Sequence, residues 1–138
     1  MTAAAHAVAA VPQSTLISIE TTGAAQQWQV QVVTAHGVEH EMRLSADGAR
    51  VISGPTTKHD DTVDRAKHQA RVTAAKLDYV AATKVLNRAF PGARITELEL
   101  DAQAHKTVWE ADLSGSGGTE LTVKIDAATG DVMSRATD

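Results

Sequence analysis

Apolar and polar residues alternate from Gln27 to Val32, with Trp28, Val30 and Val32 separated by Gln27, Gln29 and Gln31. A period of two places the apolar set on one face of a strand and the amides on the other. The pattern returns 81 residues later, where Trp109, Ala111 and Leu113 alternate with Glu110 and Asp112. The next segments turn Met42 and Leu44, or Leu121, Val123 and Ile125, inward, and Glu41 and Arg43, or Glu120, Thr122 and Lys124, outward. One apolar and one polar face predicts antiparallel sheets covered by helices on a single side.

Two stretches supply those helices. Thr2 to Val11 is Ala-rich and stops at Pro12, while Val63 to Phe90 is a long helical pattern with Asp61 or Thr62 as N-cap and Pro91-Gly92 as the stop. On the longer one, the stripe Val63, Ala66, Ala70, Thr73, Leu77, Val80 gives way to a shifted stripe of Ala82, Val85, Leu86 and Ala89. The helix therefore either bends near Asp78 or covers both sheets. Gly37 and Gly115-Ser116-Gly117-Gly118 fall where hairpins reverse. Gly54 to Asp61, with Gly-Pro, two Thr and two Asp, reads as a linker.

The order of elements repeats. Ala9-Ala10-Val11-Pro12 with Leu16, Ile19 and Glu20 aligns with Arg88-Ala89-Phe90-Pro91 with Ile95, Leu98 and Glu99 at an offset of 79 residues, and the Trp28 and Trp109 strands align at 81. Both copies end alike, Ser45-Ala46-Asp47-Gly48 then Val51-Ile52-Ser53 against Asp126-Ala127-Ala128-Thr129-Gly130 then Val132-Met133-Ser134. The expected fold class is α+β, built as two tandem repeats over residues 1–57 and 58–138, each an N-terminal helix packed on one face of a small antiparallel β-sheet. Pro12, Trp28 and Gly48 in the first copy and Pro91, Trp109, Asp126 and Gly130 in the second are the positions expected to hold it. The two tryptophans should be buried core anchors, in a chain with only four aromatic residues.

Charge and composition narrow the function. A net charge of −4, without long blocks of one sign, offers no field for nucleic acid or anionic lipid. No apolar run approaches the roughly 20 residues that span a bilayer, and the Ala-rich start lacks the basic segment and apolar core of a signal peptide. The absence of cysteine removes thiol nucleophiles and Cys-based metal sites.

Catalytic constellations fail on context. His36-Gly37-Val38-Glu39-His40 has the H-x-x-E-H spelling of some zinc peptidases, yet it runs from a turn into a strand, where residues four apart are separated by about 13 Å. His6, His59, His68 and His105 fall on separate elements and are expected in solvent, with His40 at a sheet rim. The glycine run at Gly115 leads into a strand and not into the helix that a phosphate loop needs. No G-x-S-x-G elbow surrounds Ser114, Ser116 or Ser134. Paired carboxylates, Glu39 with Glu41 and Glu97 with Glu99, should lie on a wet face and keep ordinary acidity. No catalytic residue, metal or cofactor is expected.

Phe90-Pro91-Gly92-Ala93-Arg94-Ile95, the Leu98-Glu99-Leu100 strand, the Trp109 strand and the closing Val123-Lys124-Ile125-Asp126-Ala127-Ala128-Thr129-Gly130-Asp131-Val132 together resemble the PepSY domain. The second copy matches from about Asp64 to Ser134, whereas the first, about Thr2 to Ser53, departs where Ser45-Ala46-Asp47-Gly48 replaces the Asp-Ala-Thr-Gly string. The resemblance implies an exported, extracellular or cell-envelope setting, with the export signal outside this sequence. It also implies a non-enzymatic module that binds a protein partner such as a secreted peptidase and restrains it. Glu110 and Asp112 with the tip Ser114, Gly115, Ser116, Gly117 and Gly118 are the expected partner surface. The alternative reading is a small-ligand or sensory domain of the cell envelope.

Overall fold

A computed structural model describes residues 1–23, 26–58, 62–103, 106–115 and 117–137. His59, Asp61, His105 and Ser116 lie outside the described residues. The described chain is α+β, with three helices and eight strands that pair antiparallel, and it divides into two compact units, Met1–Thr73 and Ala74–Asp138.

In the first unit, α1 (Thr2–Ala10) precedes β1 (Ser14–Thr22), β2 (Gln27–Thr34), β3 (Glu39–Leu44) and β4 (Val51–Thr57), which lie side by side in reverse sequence order. The helix touches all four strands and buries Ala3, Ala4 and Ala7. Those methyl-sized side chains let its backbone sit close above Ile19, Val30, Val32, Met42 and Leu44, all buried. β4 runs through Gly54-Pro55, which the sequence assigns to a linker. An edge strand tolerates a proline because its missing N–H can face away from the sheet, and the pairing with β3 slips on both sides of Arg43 to absorb the irregularity.

The second unit contains α3 (Tyr79–Ala89), β5 (Arg94–Gln103), β6 (Lys106–Ser114), β7 (Glu120–Asp126) and β8 (Val132–Thr137), the strands lying side by side in sequence order. Registers correspond between the units. Ile19 faces Val30 and Trp28 faces Leu44, as Leu98 faces Ala111 and Trp109 faces Ile125. A shift falls between Leu16 and Ser18 in β1 and between Ile95 and Glu97 in β5.

The long helical pattern is not one helix. α2 (Thr62–Ala74) buries no residue, and α3 starts afresh with Asp78 as N-cap, its carboxylate accepting from Ala81 N at 3.0 Å. The cause is visible at Lys76 and Leu77, whose amides donate to Ala127 O at 2.9 and 2.8 Å while Leu77 O accepts the Trp109 indole N–H at 2.9 Å. Backbone groups that a continuous helix would pair internally are captured by the sheet. The bend expected near Asp78 is therefore a full interruption.

Trp109 is completely buried. Trp28, expected to match it, is only half-buried and donates to Ala46 O at 3.1 Å in an exposed bond. In the second unit the corresponding carbonyl, Ala127 O, is occupied by the Lys76 and Leu77 amides. Trp109→Ala should cost about 3 to 5 kcal/mol, as large-to-small core changes do, and Trp28→Ala less than half as much. Urea titration of the two variants checks the ranking, and equal losses would contradict the burial difference.

Candidate functional site

The residues expected to meet a partner lie on β6 and the hairpin tip that follows it. Glu110 and Asp112 are half-buried on the face opposite Trp109. Glu110 stands across from Glu99 and Lys124. Asp112 accepts from Thr122 Oγ1 at 2.8 Å, and its backbone carbonyl accepts from Thr96 Oγ1 at 3.2 Å. The tip closes where Gly115 N donates to Thr119 O at 2.7 Å. Ser114 and Gly115 are half-buried, and Gly117 and Gly118 are exposed at positive φ with open space around them. Only the part of that surface held by Ser116 falls outside the described residues.

The closing turns hold the covering helices. Gly48 and Gly130 both have positive φ, 76° and 85°. A Cβ on Gly48 would stand 2.6 Å from Ala3 N of α1, and one on Gly130 would stand 3.1 Å from Leu77 Cδ2. His6 of α1 reaches the same first turn, its Nδ1 2.9 Å from Gly48 O. Each turn also carries a carboxylate whose pKa is held below its ordinary value. Asp47 is lowered first by the Ser45 hydroxyl and then by Ala49 N, and Asp126 first by Ala128 N, with Lys106 Nζ adding at 3.4 Å.

A second polar cluster sits where β3 begins, and the sequence missed it. Glu39, expected on a wet face, is buried with 7% exposure, and so is its cross-strand neighbour Val33. Lys58 Nζ lies 3.4 Å from Glu39 and 3.0 Å from Glu41, whose other oxygen accepts from Gln29 Nε2 at 2.8 Å. The two carboxylates raise the pKa of Lys58, Glu41 foremost through its hydrogen bond. His68 of α2, expected in solvent, instead presents Nε2 to Glu39 at 3.9 Å and accepts from Arg71 at Nδ1, 2.6 Å away. Because guanidinium only donates, that contact places the His68 proton on Nε2, toward Glu39. Lys58, His68 and Arg71 follow Glu39 by 19 or more residues, and no local pattern links them to it.

Gln29, Glu41, Arg43, Ser53, Thr56 and Lys58 line a shallow cleft of about 280 Å³ beside this cluster. Its lysine and glutamate already neutralise one another. The H-x-x-E-H string is split as expected, His36 exposed in a turn and His40 on β3 with Nδ1 3.3 Å from Thr57 Oγ1. Among the described residues no group of three or more His, Asp or Glu could hold a metal, and no helix is long and apolar enough to cross a membrane.

Residues 76–135 match the family described as peptidase propeptide and YPEB domain, PepSY. Those residues fall inside the second compact unit. Among solved structures, a "putative lipoprotein" from Clostridium difficile 630 is similar at 16% identity and a TM-score of 0.56, over 97% of this chain and 89% of that one. YpmB protein from Bacillus subtilis is similar at 18% identity and a TM-score of 0.42, over 99% and 95%. The first of these likenesses shows a shared fold. No curated protein matches the sequence.

The two turn carboxylates generate a prediction about acid. A group whose folded pKa is depressed contributes stability above its unfolded value, about 4, and that stability is lost as pH falls through the folded value. Unfolding midpoints should drop as pH falls below about 4, and Asp47→Asn with Asp126→Asn should flatten the drop. An undiminished slope in the double variant would place the acid sensitivity elsewhere.

Proposed function

We propose that this chain, which carries a PepSY domain over residues 76–135, is a non-enzymatic, exported regulator that binds a secreted peptidase and restrains it. The observation that carries the reading is the coincidence of the peptidase-propeptide family match with a self-contained compact unit. Its glycine tip is accessible, and Glu110 and Asp112 on its polar face are only half-buried. Corresponding strand registers in the two units support a tandem arrangement over residues 1–57 and 58–138.

Glu110, Asp112, Ser114, Gly115, Ser116, Gly117 and Gly118 form the contact surface in this reading. A standard interface needs about 800 Å² from each partner, which one sheet face and its hairpin tip can supply. The polar, hydrogen-bonding character of the face suits a reversible contact with a globular protein. An extracellular or cell-envelope location accompanies the function.

Purified protein added to a panel of secreted metallo- and serine peptidases should inhibit at least one with a 1:1 end point. Glu110→Lys with Asp112→Lys should weaken that inhibition by tenfold or more, about 1.4 kcal/mol. Inhibition of none of the panel sinks the peptidase reading, and equal inhibition by the variant sinks this choice of face.

A further inference from the structure

The second unit ends on a strand whose outer edge is open in a way that the first unit's edge is not. β8 pairs only with β7 in the strand order of its unit, and all six of its residues are exposed, including Val132 at 40% and Met133 at 46%. Such an edge presents unpaired amides and carbonyls, and folded proteins ordinarily blunt it with proline, bulges or cover. β4 is blunted in that way. Between the pairs Arg43–Ser53 and Glu41–Thr56 it inserts Gly54-Pro55, where β8, between Lys124–Ser134 and Thr122–Ala136, has the single residue Arg135. β8 contains neither glycine nor proline.

Beside the open edge lies a groove of about 390 Å³ lined by Ala89, Phe90, Val132, Met133, Ser134 and Arg135. Val132 and Arg135 stand across from Ile125 and Val123, both buried, so they share the face that α3 covers. A strand laid along β8 would turn every second side chain to that same face, into the groove beyond the end of α3. The Arg135 guanidinium lies 6.0 Å from the centre of the Phe90 ring, and no described carboxylate pairs with it. Main-chain pairing, an apolar recess and one unanswered cation thus converge within a few residues.

We infer that β8 and the Phe90 groove form a docking site for an extended segment of another protein, which adds as a fifth strand with an apolar residue in the groove and a carboxylate beside Arg135. Strand addition takes affinity from the main chain and specificity from alternate side chains, and both halves are present here. A second copy of this chain is the poorer occupant. Pairing β8 with itself brings two Arg135 side chains into one short interface, and β8 carries no acidic residue to answer them. The site is separate from the β6 face and does not depend on the partner being a peptidase.

The probe is the acetylated, amidated hexapeptide Thr-Leu-Thr-Glu-Thr-Val, in which Leu, Glu and Val share a face. It should shift and protect β8 amides in NMR spectra of the full chain, and should bind about three- to tenfold more tightly than its Glu-to-Lys counterpart. Arg135→Glu should reverse that preference. N-methylation of one alternate set of peptide amides should abolish binding while methylation of the other set leaves it intact. Indifference to both sets, or no β8 response at about 1 mM peptide, overturns the inference. A concentration-dependent dimer that protects β8 without peptide assigns the edge to a second copy and overturns it equally. Peptide binding without peptidase inhibition leaves this site standing and removes only the peptidase reading.

Discussion

The indole N–H of the fully buried Trp109 on the carbonyl of Leu77, at 2.9 Å, sets the arrangement of the second unit. A buried indole needs an acceptor, and the backbone of Leu77 can serve only if it leaves the helix that its sequence favours. Ala127 O completes the capture by taking the Lys76 and Leu77 amides. Asp78 is then free to cap α3, and the helix drops Ala82 and Leu86 onto the sheet. One hydrogen-bonded crossing thus converts a continuous helical pattern into two helices, one of which packs while α2 buries nothing.

The closing turns complete the attachment of helix to sheet. Gly48 and Gly130 occupy the left-handed region and lie against Ala3 and Leu77 respectively, so each turn meets its covering segment at a point where a side chain would intrude. Asp47 and Asp126 tie the same turns internally through backbone amides. The first unit reaches this contact with Ser45-Ala46-Asp47-Gly48 and the second with Asp126-Ala127-Ala128-Thr129-Gly130, two spellings of one requirement for a carboxylate and a positive-φ glycine.

Polar chemistry is distributed so that little of it is poised for bond making. The buried Glu39 is bridged by Lys58 and faced by His68, which makes it an attachment between β3, the end of β4 and α2. The accessible features are of another kind: a hydrogen-bonding sheet face, a glycine tip and an open edge beside an apolar groove. They suit recognition of protein surfaces and segments, in keeping with the match of residues 76–135 to the peptidase propeptide and YPEB family.

Period-two alternation determined the strands around Trp28 and Trp109, their inward residues and the turn at Gly115, because side-chain periodicity is a local property of the chain. Local signals likewise marked Pro12 and Pro91 beyond the helix ends, and the internal repeat marked Gly48 and Gly130, whose positive φ the structure shows. Three features were decided only by tertiary structure. The interruption at Lys76–Asp78 depends on Trp109 and Ala127, which are 32 and 50 residues away. Trp28 and Trp109 read alike in sequence, yet only Trp109 has Leu77 to receive its indole. Glu39 looked solvent-facing because alternation assigns a face but cannot tell what returns to cover it, and Lys58 and His68 arrive there from outside any local pattern.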